Sequence, residues 1–169
     1  MDAEGAELEI MKGMEDKIDN ILGVEIESQF IDRYLGSPSF AEVNKFLEDK
    51  GFELYLMNLE SWIREDNFDN SISNHKIVWG DMIYFKKFDE LKRLIQNKID
   101  DNIIEKLISL LLLYKFFDEA NFLINNFFEK KLINFETKKK MFKMIKKNMS
   151  SNLIIVTKSF LQLVFSILV

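Results

Sequence analysis

Asp2 and Glu4 are the first charged residues of the chain, and an apolar pattern of helical spacing follows them: Ala6, Ile10 and Met14, with Leu8 and Met11 alongside. Carboxylates at such a place suit the positive end of a helix, with Asp2 near the capping position. Glu25 and Glu27 stand two apart in an extended run, Ile21-Leu22-Gly23-Val24-Glu25-Ile26-Glu27, and so share a strand face. Glu27, nearer the carboxyl end, can reach a substrate; the pair can equally line a half-exposed face or meet lysines of a neighbouring helix. Tyr34 and Trp79 can form an aromatic wall or simply pack. Lysines 138, 139, 140, 143, 146 and 147 lie on one helical stretch. That is a solvated face first, and a membrane surface or acidic-partner face second.

What is missing narrows the chemistry further. The 169 residues contain no cysteine and one histidine. Disulfides, thiolate metal sites and cysteine nucleophiles are excluded, and no metal site is expected. His75 ends a polar stretch from Asp69 and reads as an exposed loop residue. The net charge of −5 is unevenly spread. Residues 1–70 carry 18 acidic and 6 basic side chains, and residues 71–169 carry 10 and 17. An acidic first half argues against nucleic acid as a partner, because phosphate contacts need a basic face. The N-terminus lacks the basic and apolar regions of a signal peptide, so a cytoplasmic protein is expected. The apolar run from Asn152 to Val169 is short of the roughly 20 residues that span a bilayer and is interrupted by Lys158, which points to a buried or partner-facing helix.

These residues need elements to hold them. The spacing predicts a helix over 4–14, a strand over 21–27, and an amphipathic helix over 40–50 that is closed by Gly51. Strands follow over 52–62 and 76–85, separated by a polar loop at 65–75. From Phe88 onward only helical patterns occur, over 88–97, 101–114, 117–130, 135–147 and 152–167, with short breaks that imply antiparallel neighbours. The chain therefore reads as an α/β domain over 1–87 and a helical extension over 88–169.

Three stretches of the first domain resemble the closing half of the FkbM methyltransferase family. Asp2-Ala3-Glu4-Gly5-Ala6-Glu7-Leu8-Glu9-Ile10-Met11-Lys12-Gly13 is similar to the family's D-x-E-G-x-E-x-x-x-L-x-G segment, with Met11 in place of leucine. Tyr34-Leu35-Gly36-Ser37-Pro38-Ser39-Phe40-Ala41-Glu42 is followed by Phe46-Leu47-Glu48-Asp49-Lys50-Gly51-Phe52-Glu53-Leu54. Trp79-Gly80-Asp81-Met82-Ile83-Tyr84-Phe85 is the third. The resemblance covers about half the chain and leaves out the helical extension.

The resemblance implies the C-terminal portion of a class I, Rossmann-like methyltransferase sheet, with ligands at the carboxyl ends of the strands. Asp2 would close the fourth strand, residues 21–28 would be the fifth, and 52–62 and 76–86 the sixth and an antiparallel seventh. The implied activity is transfer of a methyl group from S-adenosylmethionine to a hydroxyl of a sugar or natural product. Asp2 and Glu4 would then orient that hydroxyl or act as general base, and Asp2 would also approach the cofactor. Glu27, Tyr34 and Trp79 are further candidates against a small-molecule or glycan acceptor.

The departure from the family is as informative. Its glycine-rich cofactor loop follows the first strand and its ribose-binding acid the second, and no G-x-G occurs in these residues. The expectation is a truncated or split gene, with Met1 an internal codon and a chain inactive alone. Its fifth strand would expose one edge to self-association or to the missing N-terminal half. The other expectation is a non-catalytic module whose helical tail binds a partner protein or membrane surface.

Overall fold

The computed structural model describes residues 1–65, 74–97 and 102–150. The chain divides into two compact units, Met1–Leu91 and Lys92–Val169. The predicted helix over 152–167, and most of the polar loop at 65–75, lie outside the described residues.

The first unit is α/β. Its elements run α1 (Glu7–Gly13), a 3-10 helix (Glu15–Asn20), β1 (Gly23–Gln29), α2 (Phe40–Asp49), β2 (Phe52–Trp62) and β3 (Lys76–Lys86), then the start of α3 (Phe88–Gln96). The three strands form one sheet in the order β1-β3-β2. β3 is antiparallel to both neighbours, so β1 and β2 run in the same direction. The central position of β3 shows in its burial: alternation stops at Met82, and Met82 through Lys86 are all buried, as expected for a strand covered on both faces.

One face of the sheet holds the core. Ile26, Phe52, Met82 and Tyr84 pack with Leu8 and Met11 of α1, Ile18 of the 3-10 helix, and Val43 and Leu47 of α2. α2 begins at a full capping box: Ser39 Oγ accepts from the Glu42 N–H, and the Glu42 carboxylate accepts from the Ser39 N–H. It ends at Gly51, whose φ of +77° is the left-handed conformation that glycine adopts without cost.

The N-terminus departs from the expected helix. α1 starts at Glu7, not Glu4, and its N-cap, Ala6, makes no side-chain cap. Residues 3–6 form a tight turn closed by Ala6 N–H to Ala3 C=O at 3.1 Å, with Glu4 and Gly5 at φ +51° and +103°. Two consecutive left-handed residues cannot belong to a right-handed helix. Ahead of that turn Met1 is extended. Its amino group donates to Glu25 C=O, and the Glu27 N–H donates to Met1 C=O at 2.9 Å. Bonds on either side of Ile26 to one residue are a parallel pairing, so Met1 lies along the outer edge of β1 in the parallel sense.

The second unit is helical: the end of α3, then α4 (Ile103–Leu113) and α5 (Phe117–Glu129), with helix also over residues 135–150. Its buried residues recur at helical spacing: Leu107, Ile108 and Leu111; Ala120, Leu123, Ile124 and Phe127; Met141 and Ile145. α4 and α5 pack on one another. Both end in the same way, at Lys115 and Lys131 in the left-handed conformation. No helix among the described residues is long and apolar enough to cross a membrane.

Candidate functional site

The site is built where the end of β1 and the start of β3 meet the loop that follows β1. Register places Glu27 opposite Asp81 and Gln29 opposite Trp79. Alternation puts these four side chains on the sheet face opposite the Ile26–Met82 core. After Gln29 the chain turns through Ile31, Asp32, Arg33 and Tyr34. Arg33 returns over the strand end: Nη1 donates to Glu27 Oε1 at 3.3 Å. Its guanidinium lies 5.5 Å from the Tyr34 ring centre and 5.6 Å from that of Trp79, within cation–π range of both.

The N-terminal turn closes the other side. A Cβ at Gly5 would stand 2.9 Å from Ser37 Cβ and 3.5 Å from Tyr34 Cδ2, so only glycine lets the turn sit against this loop. The turn is braced by Glu7, buried at 4% exposure, whose carboxylate accepts from the N–H groups of Ala3 and Gly5. Ser37 Oγ donates to Tyr34 C=O at 2.9 Å and faces Gln29 Oε1 at 3.4 Å. Gln29 Nε2 and Ser28 Oγ are buried without a hydrogen-bond partner.

The electrostatics single out Glu27. Its carboxyl is raised above the ordinary value, first by burial and then by the negative charge of Asp2, with Glu7 and Asp81 adding to the effect and Arg33 opposing it. A carboxylate held in that way binds a proton more readily than a free one, which suits general-base work on a hydroxyl.

Of the residues singled out in the sequence, Asp2, Glu27, Tyr34 and Trp79 come together here through Arg33. Asp2 is exposed and acts on Glu27 through its charge. Glu4 is exposed in the turn, in a left-handed conformation. Glu25 lies on the same face, opposite Ile83. His75, expected to be exposed, is half-buried just before β3. Sequence reasoning missed Arg33 and Glu7. A lone arginine in a polar stretch gives no periodic signal, and Glu7 reads as an ordinary first-turn acid.

Beyond Trp79 lies a cavity of about 260 Å³ lined by Ile31, Arg33, Ser61, Trp62, Val78 and Trp79. No group of acids and histidines among the described residues could hold a metal ion. Among the described residues no glycine-rich loop leads from a strand into a helix. The N–H groups of Ala3 and Gly5 in the turn before α1 are taken by Glu7. Gly23 and Gly80 are strand residues packed against Phe85 and against Asn58 and Leu59.

Residues 1–54 match the model of the methyltransferase FkbM domain. No curated protein and no solved structure matches the chain.

Proposed function

We propose, on the premise that residues 1–54 belong to the FkbM methyltransferase family, that this chain supplies the acceptor side of a methyltransferase active site. The observation that carries the reading is the convergence of Glu27, Asp2, Arg33, Tyr34 and Trp79 at the carboxyl end of β1. The strand order supports a class I sheet: β1, β3 and β2 correspond to its fifth, seventh and sixth strands, and Met1 to the end of its fourth. The methyl donor of such enzymes is S-adenosylmethionine. On this reading it is held by residues outside these 169, on a strand that would run along β1 up to the position of Met1.

The chain's own part is to bind, orient and deprotonate. The acceptor lies against Tyr34 and Trp79, with its hydroxyl toward Glu27. Glu27 takes the hydroxyl proton as the oxygen acquires the methyl group, and Asp2 raises the basicity of that carboxylate. The acceptor is a sugar or natural-product hydroxyl, and the setting is cytoplasmic.

The test is a fusion of this chain behind the N-terminal half of an FkbM-type methyltransferase, assayed with radiolabelled S-adenosylmethionine. Methyl transfer that falls at least about ten-fold in Glu27→Gln, with melting no lower than that of the unaltered fusion, supports the reading. A folded fusion whose turnover ignores Glu27→Gln and Asp2→Asn assigns these carboxylates to structure alone.

A further inference from the structure

The guanidinium of Arg33 is only partly used. It has five N–H donors, and among the described residues one of them is bonded, to Glu27 at 3.3 Å. Its side chain is 33% exposed. Its central carbon lies over the Tyr34 and Trp79 rings, 5.5 and 5.6 Å from their centres, and the N–H groups not bonded to Glu27 are its presenting surface. Arg33 lines the cavity with Trp62, Trp79 and Ser61. Trp62 is 65% exposed, unusual for so large an apolar ring.

We infer that the cavity takes a ring-bearing acceptor with a carboxylate, the carboxylate on the free edge of Arg33 and the ring against Trp62 and Trp79, within reach of the Ser61 hydroxyl. This names the acceptor class for the site proposed above and rests on that reading. A planar carboxylate matches the paired N–H groups of an arginine edge. Indole faces receive the C–H face of a saturated ring. A single negative charge suits the surroundings better than two. Asp2, Glu7 and Asp81 all bear on Glu27 beside Arg33, and a dianionic phosphate would meet that field more strongly than a carboxylate, with Arg33 the one cation lining the cavity. An ammonium group would be repelled by Arg33, and no acid lines the cavity.

The experiment titrates the full ¹⁵N-labelled chain with D-glucuronate, D-glucose, D-glucose 6-phosphate and D-glucosamine, following the indole N–H signals of Trp62 and Trp79. Saturable shifts of both with glucuronate, at least about ten-fold weaker with the other three, are expected from one charge-assisted arginine contact. Arg33→Gln should abolish the response, and Arg33→Lys should weaken it because the charge remains and the paired edge does not. Trp62→Ala, a change at an exposed residue, should weaken it without altering the fold. Equal response to glucose, a preference for phosphate or ammonium, or an unchanged response in folded Arg33→Gln or Trp62→Ala overturns the inference. No methyl donor takes part, so failure of the methyltransferase reading shows only in the fusion assay, and failure here leaves that assay to stand.

Discussion

Arg33 donates to Glu27 at 3.3 Å, yet the Glu27 carboxyl is still raised above its ordinary value. Burial and Asp2 together outweigh the one cation. An acid whose folded value is raised favours the fold when protonated, so this contribution is present below the unfolded value, about 4.3, and is lost as pH rises through the folded value. Glu27→Gln mimics the protonated form at every pH. Its melting temperature should exceed that of the unaltered chain at neutral pH, with the gain vanishing below about pH 4. Arg33→Gln should melt lower at neutral pH and converge in acid. Thermal melts between about pH 3.5 and 8 check both. A Glu27→Gln deficit at neutral pH would mean that the Arg33 pair dominates.

The capping box of α2 titrates in the opposite sense. Glu42 is held below the ordinary carboxylate range, first by the backbone N–H of Ser39 and then by its hydroxyl. That support is present above the unfolded value and is lost as pH falls through the folded one. Ser39→Ala removes the side-chain half of the box and should cost about 1 kcal/mol, or about 2–4 °C in melting. The Glu42 carboxyl should then move up toward its ordinary value in a carbon-detected titration. An unmoved Glu42 would leave the backbone bond as its whole cause.

Much of this architecture is legible in the sequence, for reasons that differ along the chain. β2 was readable to its ends because the Gly51 cap and the polar stretch after Trp62 bound it on both sides. α2 was readable because Val43, Phe46 and Leu47 form a stripe behind a Ser-x-x-Glu start. The 3-10 helix at Glu15–Asn20 was not, since one buried residue, Ile18, sets no period. The N-terminal turn was misread as helix because Glu4 and Glu7 look alike in sequence. Their backbone angles and burial separate them: Glu4 is exposed in the turn, and Glu7 is folded back beneath it. The site was half legible for the same reason. Asp2, Glu27, Tyr34 and Trp79 stand in recognisable segments, whereas Arg33 gains its role only when the loop after β1 folds back over the strand.

Tyr84 gives an alkaline counterpart to Glu27. It is fully buried, and its hydroxyl donates to Asn44 Oδ1 at 3.1 Å. Burial, with the Glu48 charge behind it, holds the phenol well above its ordinary range. Its folded value is raised, so its contribution is intact below about pH 10 and is lost above it. Tyr84→Phe should cost about 1 kcal/mol at neutral pH for the lost hydrogen bond. It should also flatten the loss of stability above pH 10. Denaturant melts at about pH 8 and 11 separate the two effects, and parallel curves for both proteins would assign the alkaline loss to other groups.

The helical unit carries a removable strain at two matched positions. At the end of α4, Phe116 N–H donates to Leu111 C=O at 2.8 Å and Lys115 N–H to Leu112 C=O at 3.2 Å. At the end of α5, Leu132 N–H donates to Phe127 C=O at 2.8 Å and Lys131 N–H to Phe128 C=O at 3.0 Å. This is one Schellman ending used twice. Glycine is the usual residue at its left-handed position, yet Lys115 and Lys131 hold φ of 65° and 57°. A side chain there costs about 1–2 kcal/mol. Glycine would remove that cost, lose about 0.5–1 kcal/mol to its own chain entropy, and forgo a favourable charge at the helix end worth about 0.3–1 kcal/mol. Lys115→Gly and Lys131→Gly should therefore each leave stability within about 1 kcal/mol of the unaltered chain, while Lys115→Val and Lys131→Val, β-branched at a positive φ, should each lose about 1 kcal/mol. Denaturant unfolding of the four variants should place valine below both lysine and glycine at both sites. Valine ranking above lysine at either one would show that the helix there ends in some other conformation.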